Sequence, residues 1–390
     1  MASVGLTRRM EPIAALDVGG AKACCLIAER GTDGGLDIVG AGVQACAGLR
    51  SGAIVDLEAT ETAIVNAVHD AETEAGVGVE RVVVNVSAGR PSSQIVAVEV
   101  PLAERRVAEE DVRYALEAGC DADDVPGAAQ GRELIHTIPI AYAVDDVKGV
   151  RDPRGMFGDL LGVNMHVVTA QANAVRTLAA ALERCRLDVE MLCVSPIAAG
   201  LGALVDDEME LGCAVIDLGA GVTSIAVFFD GQAVWCDSIP LGGGHITADL
   251  ARGLCVPLAQ AERLKTLHGG ALSAAEDAAD AVAAPGLGEE DGDDRRISRA
   301  QLIEIIEPRL AEIFDAVSAK MSDAGFEDVS GRRVVLTGGG AQLSGVREYA
   351  ARALNKEARI GRPLAKGQMG GRGPLRGLDA ALSGPDVTAA

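Results

Sequence analysis

Ile13 to Asp17 is a short apolar run that ends on a carboxylate; Gly19-Gly20 follow, and a second apolar run occupies Ala23 to Ala28. Apolar runs of this length on either side of adjacent glycines predict two strands joined by a tight turn. Asp37 to Gly42 predicts a third strand and Arg81 to Val86 a fourth. Between them, Glu58 to Gly76 places Ala59, Ile64, Val65, Val68 and Ala71 at helical spacing. Three strands, a helix and a strand do not alternate as a dinucleotide-binding α/β domain would.

Laid over itself 200 positions on, the chain repeats this opening: AALDVGGAKACCLIA from Ala14 to Ala28 aligns without a gap on AVIDLGAGVTSIAVF from Ala214 to Phe228. Asp17 falls on Asp217 and Gly19 on Gly219. Solenoids repeat every ~20 to 50 residues, so a repeat this distant predicts two similar lobes with a cleft between them. Between the copies, Pro91 to His166 breaks the pattern of the first lobe. It holds an extended segment from Gln94 to Pro101, a helix from Glu109 to Glu117, a loop rich in Asp and Gly, and a second extended piece from Leu134 to Val144. This stretch is read as an inserted subdomain. Asn173 to Cys185, with Val175, Leu178, Ala179 and Leu182 on one face, predicts a helix that returns the chain toward the second lobe.

Beyond the second hairpin, Leu241-Gly242-Gly243-Gly244 precedes a helical pattern through Leu250, and Leu258 to Leu267 predicts another helix. Ala274 to Asp294 turns to Ala, Asp, Glu and Gly, including Asp277, Asp280, Glu289, Glu290, Asp291, Asp293 and Asp294, which predicts a solvated loop. Gln301 to Met321 is helical in pattern, with Pro308 expected to kink it or start it. Arg333 to Thr337 predicts a strand, followed by Gly338-Gly339-Gly340 and a helix from about Ala341. From Gly361 onward Gly, Pro and basic residues break all periodicity.

The chain has 390 residues, 48% of them hydrophobic and 24% charged, enough apolar surface for two or three cores and too much for global disorder. Its 35 Lys and Arg against 57 Asp and Glu give a net charge of −22, which repels nucleic acid and excludes that partner. One Trp, three Tyr and five Phe leave little for base stacking. Nine cysteines, at 24, 25, 46, 120, 185, 193, 213, 236 and 255, show no metal-ligand spacing and are read as reduced core residues. The five histidines, at 69, 136, 166, 245 and 268, are too dispersed for a metal cluster. No run approaches the ~20 apolar residues of a membrane span, and MASVGLTRRMEP lacks the apolar core of a signal peptide, so a cytoplasmic protein is expected.

A glycine turn between antiparallel strands exposes backbone N–H groups that bind phosphate oxygens, and a Cβ there would block the phosphate's approach. A carboxylate closing the preceding strand, Asp17 or Asp217, can hold Mg²⁺ through its water shell. One such hairpin means little; two in register, with a third glycine turn at Gly338, point to a nucleotide. No Gly-x-x-x-x-Gly-Lys-Ser/Thr is present, which excludes a P-loop.

LDVGGAKACCLIA, VIDLGAGVTSIAV and VVLTGGGAQLSGV resemble the two phosphate motifs and the adenosine motif of the actin and Hsp70 ATPase superfamily. HTIPIAYAVDDVKGVRDPRGM, PLGGGHITADLA, LAQAERLKTLHGGAL and IIEPRLAEI are similar to stretches of one branch, the FtsA family of bacterial cell-division proteins, so that the resemblance covers roughly residues 12 to 362. It implies an α/β, actin-like two-lobed ATPase fold with an FtsA-type inserted subdomain. The implied division is a lobe I core over 1–87 and 169–198, an inserted SHS2-like subdomain IC over 88–168, and a lobe II core over 199–240 and 298–360. Subdomain IIB would span 241–297, and 361–390 would be a Gly/Pro-rich basic tail.

The resemblance further implies ATP and Mg²⁺ in the cleft. Gly19, Gly20 and Lys22 would meet the phosphates from one lobe, and Asp217, Gly219, Gly221 and Thr223 from the other, with Asp17 and Asp217 near the magnesium. Gly242, Gly243 and Gly244 would approach from lobe II, Glu262 and Lys265 would reach the ribose, and Gly338, Gly339 and Gly340 would flank the adenosine. Glu262 and Lys265 are also three apart on a helix and can simply pair on its surface. Relatives usually carry Ser or Thr where this chain has Gly20, which removes one hydroxyl donor to phosphate.

As implied partners, the resemblance gives the C-terminal tail of FtsZ, other copies of the chain in a filament, and divisome membrane proteins, with a location on the inner face of the cell membrane at the division site. Membrane contact is expected to be indirect or through a missing C-terminal helix, because the prolines and glycines of Gly361 to Ala390 cannot hold an amphipathic one. Six basic residues from Lys356 to Arg376 add a weak attraction to anionic lipid. At most a weak ATPase is implied: Gln171 and Asn173 lie near a crossover where a water-aligning residue could sit, but a structural role is the preferred account of them. The competing readings are a sugar or acetate kinase of the same superfamily and an FtsA-like pilus-assembly protein.

Overall fold

The computed structural model describes residues 12–31, 35–119, 131–275, 277, 279–286, 294–363 and 375–376. Two sheets of one topology form the lobes. In lobe I the central strand Ile13–Val18 pairs antiparallel with Lys22–Arg30, which pairs antiparallel with Leu36–Ala45. On its other side lie the parallel strands Arg81–Val86 and Asp188–Val194. In lobe II, Cys213–Leu218 takes the central place. Thr223–Phe229 and Gln232–Ile239 follow antiparallel, and Arg333–Thr337 and Glu357–Ile360 lie parallel on the far side. The repeat extends to single pairs: Asp17 faces Cys24 and Asp217 faces Ser224, each seven residues apart.

Helix Leu57–Ala75 starts at Asp56, whose carboxylate accepts from Ala59 N, and ends at Gly76 in the left-handed region. Its buried Ile64, Ala67 and Ala71 cover the lobe I sheet. Helix Ser195–Ala203 lies between the lobes, so one apolar core runs from Leu16 and Val84 through Ala199 and Ala203 to Val215 and Phe228 of lobe II. The far face of the lobe II sheet is covered by Leu302, Ile306, Leu310, Phe314 and Val317 of helix Arg299–Asp323.

The stretch between the repeats forms its own sheet, in the order Ser92–Arg106, Phe157–Gln171, Arg132–Val144, Val147–Val150. Helix Glu109–Ala118 packs Val112 and Ala115 against its Leu161, Val163 and Met165. Arg132 fastens this sheet where the chain enters and leaves it: Nη2 donates to Arg90 O at 3.0 Å, Ser92 Oγ at 2.8 Å and Thr169 O at 2.7 Å. Ser93 Oγ exchanges hydrogen bonds with Cys236 O (3.0 Å) and Cys236 N (2.7 Å), and Arg151 reaches Glu210 (3.0 Å) and Asp230 (3.1 Å), so the inserted sheet also rests on lobe II.

Several sequence expectations need correction. Helix Ala172–Arg184 leads to strand Asp188–Val194, which rejoins lobe I rather than turning toward lobe II. That strand, like Glu357–Ile360, is an outer strand whose charged residues (Asp188, Glu190, Glu357, Arg359) interrupt the apolar run a strand search looks for. Helix Arg299–Asp323 passes through Pro308, starting instead at a reciprocal cap between Ser298 and Gln301. Within the acidic stretch, Ala281–Pro285 pairs with Asp294–Ser298, and Asp277 is buried, accepting from Ala274 N and facing Arg299. Residues 276, 278 and 287–293 of that stretch lie outside the described residues. A short 3₁₀ turn, Gly339–Gln342, precedes the helix, which begins at Val346. Among the cysteines, Cys255 is exposed, not core, and Cys120 lies outside the described residues. So does most of 361–390, including the expectations for its charge and helix content. Among the described residues no helix is long and apolar enough to cross a membrane.

Candidate functional site

The two glycine turns meet at the mouth of the interlobe cleft. A Cβ on Gly20 would stand 3.5 Å from Gly221 N and 3.8 Å from the Ala220 Cβ, so the tips of the two hairpins touch. Behind the tips, Asp17 and Asp217 close their strands at the cleft floor, reachable from solvent yet densely surrounded by protein. Asn85 Nδ2 donates to Asp17 Oδ1 at 2.6 Å. Burial raises the Asp17 carboxyl above its ordinary range, against the pull of the Asn85 bond and the Lys22 charge. Burial, then the charge of Asp17, pushes Asp217 up to about 7, with the hydroxyls of Ser224 and Thr337 acting the other way. Two carboxylates that resist ionising together are what a divalent cation relieves. Asn85 Oδ1 is buried beside them without a hydrogen-bond partner. Carboxylate and amide oxygens are the hard donors that suit a hydrated Mg²⁺, so the residues present fit that ion.

Asn85 was not anticipated from the sequence, and a signal for it exists. Asp17 pairs in parallel with Asn85 and Asp217 with Thr337, so Arg81-Val-Val-Val-Asn85 and Arg333-Val-Val-Leu-Thr337 are a second matching element of the two lobes. Its spacing from the first element differs because the helix-bearing connections differ, which hides it from a fixed-offset comparison.

The loop 242–244 packs on the second turn. A Cβ on Gly242 would lie 2.4 Å from Gly219 O, and the N–H groups of Gly243 and Gly244 donate to Gly219 O (2.9 Å) and Ala220 O (2.8 Å). Thr223 is buried and donates to Leu241 O at 2.9 Å. These groups therefore hold the turn in shape. Lys265 Nζ donates to Gly243 O (3.1 Å), Thr247 Oγ1 (2.8 Å) and Glu262 Oε2 (2.7 Å), tying helix Leu258–His268 to helix Gly243–Leu254. The surface pairing of Glu262 with Lys265 is thus present, with an added anchoring bond to the glycine loop.

Gly338 has φ +82°, and a Cβ there would overlap Asp217 Oδ1 at 2.3 Å; only glycine lets this turn lie over the end of the Asp217 strand. Gly340 packs on Leu218, whereas a Cβ on Gly339 would meet nothing within 4 Å, leaving a flat backbone face beside the carboxylates. Lys22 is partly exposed opposite Ala45. Gln171 and Asn173 lie exposed at the start of helix Ala172–Arg184. Two residues that sequence reasoning passed over cross the cleft: Ser51 Oγ lies 3.4 Å from His245 Nε2.

A solved PilM-PilN type IV pilus biogenesis complex shares the fold at a TM-score of 0.66 with 17% identity, covering 98% of this chain and 96% of the other. MreB5 of Spiroplasma citri bound to ADP gives 0.54 with 14% identity over 90% and 92%. These likenesses show the actin-like α/β fold. The model described as cell division protein FtsA matches residues 214–390, and that of the SHS2 domain inserted in FtsA matches 88–169. Cell division protein FtsA of Agrobacterium fabrum is 40% identical over 98% of this chain and 86% of its own length. That of Rhizobium meliloti is 38% identical over the same shares. The Escherichia coli K12 protein is 31% identical over 90% and 84%. The chain belongs to the FtsA family of bacterial cell-division proteins.

Proposed function

We propose that this cell-division protein holds ATP with Mg²⁺ between its lobes, polymerises, and connects the FtsZ C-terminal tail to divisome proteins at the inner membrane face. The observation that carries the nucleotide reading is the pair of hairpins in identical register, with Asp17 near enough to Asp217 to raise its pKa behind touching glycine turns. Gly339 borders open space, Gly20 would meet the phosphates from the first turn, Lys22 would supply a cation beside it, and Asp17 with Asp217 would hold the magnesium waters. Mg²⁺ would neutralise charge between the carboxylates and the phosphates; the chain's own turns orient them. Lys265 and Glu262 would meet the ribose from their anchored position. The inserted sheet would be subdomain IC, the family's substitute for an actin subdomain. Purified protein should bind an FtsZ tail peptide and form filaments with ATP and Mg²⁺ but not without nucleotide; failure of both would refute the reading.

A further inference from the structure

His245 is the third residue of helix Gly243–Leu254, and Gly242 N donates to its Nδ1 at 3.1 Å. With Nδ1 accepting, the neutral ring carries its hydrogen on Nε2. That N–H points across the cleft to Ser51 Oγ of lobe I at 3.4 Å, a long bond between neutral groups. Ser51 sits in the two-residue turn between Leu49–Arg50 and Ala53–Ile54, with φ +48° followed by Gly52 at +76°. This turn presses on the second glycine turn: a Cβ on Gly221 would meet Ser51 N at 2.9 Å, and one on Gly52 would meet the Val222 Cγ2 at 2.8 Å. The His245 donor therefore stands beside the point where both glycine turns converge, held only by a distant neutral hydroxyl.

We propose that His245 is a nucleotide-positioning residue whose Nε2–H is transferred from Ser51 to an oxygen of the terminal phosphate, making it a reader of ATP against ADP. A phosphate oxygen is a charged acceptor and forms a shorter, roughly twofold stronger bond than a neutral hydroxyl. Ser51 and the phosphate compete for one hydrogen, so the same exchange loosens the lobe I turn when a third phosphate is present. The inference rests on the cleft being the nucleotide site.

Calorimetric titration with Mg²⁺ and either ADP or a non-hydrolysable ATP analogue tests it, on variants whose folding is checked by thermal unfolding. His245→Ala should weaken the ATP analogue about 10-fold or more while ADP affinity stays within about twofold, since one hydrogen bond to a charged group is lost. His245→Gln, which restores a donor near the Nε2 position, should recover much of the difference. Ser51→Ala should leave analogue affinity unchanged or raised. Equal weakening of both nucleotides by His245→Ala and Ser51→Ala would overturn the inference in favour of a plain interlobe brace, and no effect of His245→Ala would overturn it as well. Asp217→Ala separates the premises: if it changes neither nucleotide's affinity, the cleft reading itself falls.

Discussion

At the scale of single residues, the cleft is defined by groups whose ordinary behaviour has been displaced. Asp217 sits at about 7 because it is enclosed and because Asp17 is near. The folded chain therefore holds a proton that the unfolded chain has already released between roughly pH 4 and pH 7. The sign follows: this group's stabilisation is complete below the unfolded value and is lost as pH rises through about 7. Without Mg²⁺ or nucleotide, wild type should lose thermal stability relative to Asp217→Asn as pH is raised from 5 to 8, and superimposable pH profiles would contradict this. Gly20 offers a second test. A Cβ there makes only ordinary contact, at 3.5 Å from Gly221 N, so Gly20→Ser fits without strain. Its hydroxyl should raise ATP affinity severalfold with little change in melting temperature, and weaker binding would show that the turn needs the smaller residue.

At the scale of elements, the register of the hairpins was legible because the period of strand and glycine turn is local. The edge strands were not, since charged side chains that keep an exposed edge soluble also erase the apolar run. Asp277 looked solvated in a run of acidic residues and is buried, because a tertiary contact, Arg299, lies 22 positions away and leaves no trace in composition. Gly242 was expected to face a phosphate, but its close neighbour is Gly219 O, a contact only the fold creates. Arg132 is of the same kind. Its guanidinium joins both crossing points of the inserted sheet, through Ser92 and Thr169. Arg132→Ala leaves buried acceptors unmet and should cost about 2 kcal/mol. Hydrogen exchange should quicken first in strands Ser92–Arg106 and Arg132–Val144; uniform loss of protection across both lobes would mean the clamp is not local.

At the scale of the whole molecule, a repeat of 15 residues announced two lobes, and the structure extends it to five strands each with the same order and direction. Duplication explains why the proposed site lies between lobes: each copy contributes one turn and one carboxylate, and neither half alone presents the charge pair that calls for a cation. The inserted sheet touches lobe I through His136, whose Nε2 accepts from Val194 N, and lobe II through Ser93 and Arg151, so a change in the angle between lobes is felt at all three contacts. A nucleotide that binds both turns would thus bias the orientation of the inserted sheet, to the extent that it prefers one lobe angle. The most direct test of this arrangement is titration of a fluorescent ATP analogue, with and without Mg²⁺, into wild type, Asp17→Ala and Asp217→Ala. Magnesium-dependent binding to wild type, weakened at least 10-fold by either substitution, is the expected result. Absence of binding, or equal affinity in all three proteins, would contradict the claim that the paired turns form a nucleotide site.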